Sequence, residues 1–103
     1  MSMHSYISSR STVSQAAELA RLLADPTRLR IFEALFTATE DLCVNEIAAS
    51  VGSSHSATSH QLAKLEARGV VECFREGQKM CYKLTDDPLV PKIKKSLQIF
   101  NIL

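Results

Sequence analysis

The sequence lacks several features that would mark a membrane or secreted protein. Its 103 residues include no tryptophan, and no apolar run approaches the roughly 20 residues of a membrane-spanning helix. Residues 1–14 are polar and lack the apolar core of a signal peptide, so we expect a cytoplasmic protein without membrane contact. Three widely spaced cysteines do not form the framework of a small secreted protein. The length fits one domain, and domains this small often complete their burial by dimerising.

A large net charge is also missing, because 12 basic residues face 11 acidic ones and leave a net charge of +1. The distribution is nevertheless uneven. Every charged residue between positions 31 and 53 is acidic, whereas residues 54–83 carry five basic residues against three acidic ones. A positive excess in one segment favours contact with nucleic acid more than the total charge does, although ordinary solvated surfaces also carry such charges.

Capping residues and hydrophobic spacing predict five helices and one hairpin. Asp25 caps the second helix, while Gly52 and Gly69 end the third and fourth. Ser11 or Thr12 caps the first predicted helix, and the others start at Pro26, near Leu42, after Ser54 and after Pro88. Predicted strands 70–75 and 79–84 flank residues 76–78. We therefore predict a mainly α fold with a β-hairpin, a winged helix-turn-helix over residues 11–103, after a flexible arm of residues 1–10.

The predicted hairpin brings two cysteines together. Pairing centred on Gly77 places Cys73 opposite Cys81, and it places a mostly apolar set on the other face. That apolar set comprises Val70, Phe74, Met80, Tyr82 and Leu84. Nearby basic side chains lower thiol pKa and favour oxidation, so one hypothesis is a redox switch through a Cys73–Cys81 disulfide, which needs a small shift of the strands. The alternative is two small residues on a strand.

The fourth helix begins with a run of short polar side chains. Its inward-facing leucines, Leu62 and Leu65, come late, whereas residues 54–60 read SHSATSH. Hydrogen-bonding groups at a helix N-terminus can contact phosphates and base edges of DNA. The pattern therefore predicts a DNA-reading helix. The amphipathic first and last helices are candidates for a homodimer interface. A homodimer would bind two half-sites on DNA.

Four segments together resemble the ArsR/SmtB family of homodimeric winged-helix repressors, many of which release DNA on binding metal ions. They are LADPTRLRIFEAL (23–35), DLCVNEIA (41–48), SATSHQLAKLEARGVV (56–71) and REGQKMCYKL (75–84), and the resemblance covers about residues 13 to 100. It implies a transcriptional repressor that binds double-stranded operator DNA. The implied DNA-binding residues are Ser54, His55, Ser56, Ser59, His60 and Lys64 on the fourth helix, and Arg75, Gln78 and Lys79 in the wing. An alternative for His60 is a bond to a neighbouring helix.

The resemblance also implies a metal-ion effector site. Its ligands would be Cys43 and Glu46 at the third helix with His4 from the arm, a set suited to zinc or another thiophilic ion. Asn45 stands where many members carry a second cysteine. The competing interpretation is a small buried thiol and a surface glutamate. The family's other metal site, on the last helix, keeps only Asp86.

Three further functional interpretations remain beside the metal- or redox-responsive repressor. One is a metal-independent regulator of the same kind, and another is a winged helix that binds proteins without specific DNA binding. The third, an enzyme, is disfavoured because the sequence has no glycine-rich phosphate loop and no serine or cysteine with an evident base partner.

Overall fold

The computed structural model describes residues 8–103 and shows five helices and three strands. They are α1 (Arg10–Leu23), α2 (Pro26–Thr37), β1 (Leu42–Cys43), α3 (Val44–Val51), α4 (His55–Arg68), β2 (Val71–Glu76), β3 (Lys79–Leu84) and α5 (Leu89–Ile99). The predicted winged helix-turn-helix is confirmed, with β1 as an added strand. Helix α1 begins two or three residues earlier than predicted, because Ser9 rather than Ser11 or Thr12 caps it. The other predicted arm residues up to position 7, including His4, lie outside the described part.

Side-chain caps and glycines set the start of α2, the end of α3 and both ends of α4 where the sequence predicted them. The Asp25 side chain accepts the backbone N–H of Arg28 at 3.0 Å, and Ser54 accepts that of Ala57 at 3.0 Å. Gly52 ends α3 with φ +68°, a left-handed conformation that glycine adopts without steric cost. These local bonds satisfy backbone groups that helix ends would otherwise leave unpaired. They therefore fix the short α3–α4 turn.

The hydrophobic core lies where the helices converge on the inner side of α4. Its fully buried side chains include Ile31, Phe32, Ile47, Leu62, Leu65, Ile93 and Leu97. Burial of a leucine-sized side chain stabilises the fold by about 1.5–3 kcal/mol, so the late leucines of α4 hold that helix against the core. Thr58 joins this inner side despite its place in the polar run, since it is 0% exposed. The polar start of α4 therefore has an inner and an outer side.

The hairpin turn is shorter than the sequence predicted. Glu76 and Lys79 stand opposite each other, so the turn consists of Gly77 and Gln78 alone. Gly77 has φ +64° at the first central position, where two-residue hairpins favour glycine. The predicted register is therefore wrong by one residue. This shift turns β2 over relative to β3, because successive side chains in a strand alternate between faces.

The corrected register overturns the predicted Cys73–Cys81 pair. Cys73 stands opposite Tyr82, and Phe74 stands opposite Cys81. Strand β1 pairs with the other edge of β3, so that the sheet order is β1-β3-β2 and Cys43 stands opposite Cys81. A disulfide joins Cys43 to Cys81, and Cys73 is a free thiol. The predicted wing disulfide is wrong because the two cysteines lie on different faces of the hairpin.

The two faces of the hairpin also differ from the predicted sets. Val71 and Tyr82 are buried against the core, and Cys73 packs beside them. Phe74, predicted to lie on the apolar face, instead shares its face with Lys83, whose Nζ lies 5.5 Å from the ring centroid. That distance suits a cation–π contact.

Among residues 8–103, no helix is long and apolar enough to cross a bilayer.

Candidate nucleic-acid interface and thiol site

The outer side of the α4 start presents four of the predicted DNA-binding residues together. His55, Ser56, Ser59 and His60 line one shallow surface depression. All of them are exposed except Ser59, which is half-buried. The backbone N–H groups of the first helical turn point out at the same end, where the helix dipole favours an anion. This surface therefore combines phosphate-binding geometry with side chains long enough to reach base edges.

The wing tip lies beside this helix start. His55 and Ser59 of α4 line a cavity of about 400 Å³ together with Gln78, Lys79 and Met80 of the hairpin. Two elements that are far apart in sequence thus form one surface. The structure brings Gln78 and Lys79 to the candidate interface, while Arg75 is exposed further back on β2.

Lys64 lies in a different environment from the other predicted residues of α4. It lines a small cavity with Glu18 and Arg21 of α1, Arg28 of α2 and Arg68. The structure therefore places it near the terminal helix, more than a turn beyond His60 on α4. Its exposed ammonium group remains available for a contact with a phosphate.

Arg28 links α4 to the end of α1. Its Nη1 donates to Gln61 Oε1 at 3.2 Å, while Nη2 and Nε donate to the carbonyl oxygens of Arg21 at 2.7 Å and Leu22 at 3.2 Å. Those two carbonyls belong to the last turn of α1, whose final carbonyl groups lack partners within the helix. The guanidinium group of Arg28 therefore connects the end of α1 to α4.

Arg68 makes the second link, from the end of α4 to the terminal helices. Its guanidinium group forms ion pairs with Glu18 on α1 and with Asp87 just before α5, the latter at 3.3 Å. The hydrogen bond to Glu18 is the main cause that raises the pKa of Arg68. The side chain is 29% exposed, so these pairs are partly shielded from water. Arg28 and Arg68 together fix the orientation of α4 relative to α1 and α5.

The thiol site lies between the start of α3 and the wing, and Cys43 lines the same cavity as the start of α4. Cys43 is the N-cap residue of α3 and is 8% exposed, and Cys81 on β3 is 0% exposed. The carboxylate of Glu76 lies 3.8 Å from Cys81 Sγ. The disulfide thus joins the segment that starts α3 to the strand that carries the wing.

Glu46, predicted as a metal ligand, has a structural role in this arrangement. Its Oε1 accepts the backbone N–H of Cys43 at 3.0 Å, which satisfies a donor at the start of α3. Within residues 8–103, the one cluster of three close metal-ligating side chains combines Cys43 and Cys81 with Glu76. His4 lies outside the described residues. The observed donor set around Cys43 therefore differs from the predicted set of Cys43, Glu46 and His4.

Cys73 is separated from this site by the sheet. It neighbours Tyr82 across the strands and is half-buried against the core. The pKa of Tyr82 is raised to about 12, mainly by burial and to a smaller extent by a hydrogen bond with Cys73. The two groups therefore belong to the inner face of the wing.

The sequence did not indicate the Cys43–Cys81 contact or the place of Glu76 beside it. Strand β1 has only two residues, and a segment that short shows no alternation of polar and apolar positions. The hairpin residues Glu76 and Lys79 could have suggested a two-residue turn around Gly77, since glycine is favoured at the first turn position.

A polar helix start beside a β-wing defines the class of winged helix-turn-helix transcriptional regulators. Residues 25–72 match the family described as bacterial regulatory protein, arsR family. The chain is 36% identical over 87 residues to the HTH-type transcriptional regulator CmtR of Mycobacterium tuberculosis, a match that covers 84% of this chain and 71% of that protein. The chain therefore belongs to the ArsR/SmtB family, as the four sequence segments predicted.

Two further similarities are consistent with this assignment. The chain is 44% identical over 73 residues to a transcriptional repressor SmtB homolog of Synechocystis sp., and the match covers 71% of this chain but only 54% of that relative. The crystal structure of the antimony-specific transcriptional repressor AntR superposes with a TM-score of 0.79 at 29% identity, covering 91% of this chain and 84% of that one.

Proposed function

We propose that this chain is a repressor that binds a specific operator as a homodimer, with α4 as the recognition helix. The observation that carries the proposal is the single surface formed by the exposed polar start of α4 and the wing tip. A recognition helix fits the major groove of B-DNA, and an adjacent hairpin reaches the neighbouring backbone or minor groove.

Each predicted residue takes a role that follows from its chemistry. Ser54 and Ser59 have short hydroxyl groups that suit phosphate contacts near the helix N-terminus, whereas the exposed Ser56 can bond to a base edge. His55 and His60 are exposed and long enough to reach base edges. The wing residues Arg75, Gln78 and Lys79, together with Lys64, contribute phosphate contacts and make binding depend on salt.

The surface of α1 supports the homodimer. One side of this helix carries Leu19 and Leu22 into the core, while the opposite side exposes Val13 and three alanines at positions 16, 17 and 20. Val13 is 56% exposed. An apolar helix side without a partner in its own subunit is well suited to pack against the same helix of a second copy.

The end of α5 presents further apolar surface near the chain terminus. Ile99 is 74% exposed and Phe100 is 77% exposed. Leu97, three residues before Phe100, is buried, so Phe100 lies beyond the part of the chain that the core covers. Since α5 packs against α1, both terminal helices can contribute to one dimer interface.

The first experiment measures operator binding as a function of salt. Fluorescence anisotropy of DNA fragments from the neighbourhood of the chain's own gene, titrated with the purified protein, should find one sequence bound about a thousandfold more tightly than random DNA. The logarithm of the binding constant should fall linearly with the logarithm of salt concentration, because lysine and arginine contacts release counterions. A protein-interaction module would show neither the preference nor the slope.

The proposal includes release of the operator by a signal acting at the thiol site, either a thiophilic metal ion or oxidation. The disulfide between β1 and β3 supports oxidation as a signal, because it ties the start of α3 to the wing. With hydrogen peroxide as oxidant, the two thiols lose two protons and one electron pair, and the O–O bond of the peroxide breaks as it accepts them. The products are the disulfide and two molecules of water.

Oxidation of the reduced protein with hydrogen peroxide should lower operator affinity about 5- to 150-fold, the usual range of coupling between two sites. Mass spectrometry of the alkylated protein should show a Cys43–Cys81 disulfide, while Cys73 remains alkylated. The effect should persist in Cys73→Ser and disappear in Cys81→Ser. An equal response of Cys81→Ser and the wild type would contradict regulation through this bond, and a metal-independent, oxidation-blind regulator would respond in none of them.

A further inference from the structure

Three metal-ligating side chains from three parts of the fold converge on one point. They are Cys43 at the start of α3, Cys81 in the middle of β3 and Glu76 at the end of β2. One ligand atom from each lies within 4.8 Å of the other two. Reduction of the disulfide frees the two sulfur atoms to separate, and small movements then bring all three ligand atoms to one ion, whose ligand atoms lie up to about 4.6 Å apart.

The position of Glu76 follows from the corrected hairpin register. Glu76 and Cys81 are on the same face of the hairpin, since Glu76 is opposite Lys79 and Phe74 is opposite Cys81. The predicted register would have put Glu76 and Cys81 on opposite faces. The two-residue turn therefore brings a carboxylate to the disulfide.

We propose that Cys43, Cys81 and Glu76 bind one thiophilic divalent ion, such as cadmium or zinc, when the two thiols are reduced. Two thiolates and one carboxylate select soft and borderline ions over magnesium and calcium, which prefer oxygen ligands alone. Three protein ligands leave a fourth tetrahedral position for water. Binding deprotonates both thiols, so it releases two protons to solvent.

The hydrogen bond that Glu46 already makes favours Glu76 as the carboxylate ligand. Cys43 and Cys81 are shielded from water, which strengthens electrostatic attraction to a cation, and Glu76 is exposed at the edge. The Glu46 carboxylate already accepts the N–H of Cys43, so coordination by Glu46 would leave that donor without its partner. The site therefore recruits its carboxylate from the wing rather than from α3.

The location gives the ion a means to affect the interface. Cys43 lines the cavity of about 400 Å³ that also contacts His55 and Ser59 of the recognition helix and Lys79 of the wing. An ion bound by Cys43, Cys81 and Glu76 would hold the start of α3 against both wing strands. This coupling to DNA rests on the proposed operator binding, whereas metal binding itself does not.

The ion and the disulfide exclude each other, because both require the same two sulfur atoms. An ion held by the thiolates should therefore protect them from peroxide. This exclusivity provides a readout that is independent of DNA.

The test is a titration of the reduced full-length protein with cadmium chloride under anaerobic conditions, followed by ultraviolet absorption. We expect one ion per subunit and a thiolate-to-cadmium charge-transfer band. The band should be halved or lost in Cys43→Ser and in Cys81→Ser. Glu76→Gln should lower the affinity about 10-fold or more, since even residues that only support metal ligands contribute 10- to 100-fold.

Matched variants separate this site from the alternatives. Cys73→Ser removes a cysteine from the inner face of the wing, and Glu72→Gln removes an exposed carboxylate from the same strand as Glu76, so both should bind cadmium like the wild type. Dependence on Glu46 instead of Glu76, or full binding by Cys81→Ser, would overturn the proposal. Circular dichroism of each variant shows that it is folded.

Peroxide treatment of the cadmium-loaded protein completes the test. Disulfide formation between Cys43 and Cys81 should be at least about tenfold slower than in the metal-free reduced protein. An unchanged rate would contradict an ion bound by these two thiolates. Neither measurement uses DNA, so failure of the proposed operator binding would leave this result intact, and the reverse also holds.

Discussion

Replacing Val13 with aspartate is expected to convert the homodimer to a monomer and to lower operator affinity about a hundredfold or more. Val13 is 56% exposed on the side of α1 that faces away from the core. In the proposed dimer this side packs against a second copy, where an unpaired carboxylate costs several kcal/mol. Linking two half-site binders raises overall affinity about 10²- to 10⁴-fold, and this gain is lost with the dimer. Light scattering after size-exclusion chromatography measures the mass, and anisotropy measures the affinity.

Gln15→Asp is the matched control for this prediction. Gln15 is exposed on the same helix, two residues from Val13 and on a different side. The Gln15→Asp substitution introduces the same charge and loses at least as much helix propensity, but it should leave both mass and operator affinity unchanged. A Val13→Asp protein that remains dimeric would show that α1 does not form the interface. Phe100→Asp then tests the exposed end of α5 in the same way.

The helical part of the fold could be predicted because its signals are local. Asp25 and Ser54 each cap a helix through their own side chains, and Gly52 has the left-handed conformation expected at the end of α3. Each signal needs only neighbouring residues. The outer side of α4 could be predicted in the same way, because the polar residues that do not face the core are left exposed. Thr58 was the exception within that run, because its burial depends on packing by distant elements.

The wing could be predicted only in outline because its register depends on one turn residue. Alternation located both strands, but it did not distinguish a three-residue turn around Gly77 from a two-residue turn that starts there. That single residue changed the partner of Cys81 from Cys73 to Phe74 and moved Glu76 to the face of Cys81. The contact with Cys43 is still less accessible from sequence. It joins residues 38 positions apart through a two-residue strand.

The two sets of contacts around α4 give the proposed signals a route to the proposed DNA interface. Arg28 and Arg68 fasten the helix to the terminal elements, so its orientation in each subunit follows that of the proposed dimer interface. The thiol site instead joins α3 to the wing. A signal at Cys43 can therefore change the position of the wing relative to α4 while the dimer remains intact. Release would then require no dissociation of subunits.

The combined substitution of His55 and Ser56 with alanine is expected to weaken operator binding about 10- to 100-fold while leaving binding to random DNA nearly unchanged. Both side chains are exposed on the outer side of the α4 start, beside the wing tip. A lost base contact typically costs about 1–3 kcal/mol in discrimination. Neither substitution removes a lysine or an arginine, so the salt dependence should stay the same.

Lys79→Gln provides the opposite outcome in the same assay. Lys79 lies at the wing tip and is exposed, so its proposed contact is with a phosphate, which carries no sequence information. This variant should bind operator and random DNA more weakly by a similar factor. The slope of log affinity against log salt should become shallower by about one unit. The variant with alanine at positions 55 and 56 could instead lose affinity equally for all sequences. His55 and Ser56 would then contact the DNA backbone rather than bases. Base recognition would have to come from residues further along α4, of which His60 is the nearest exposed candidate.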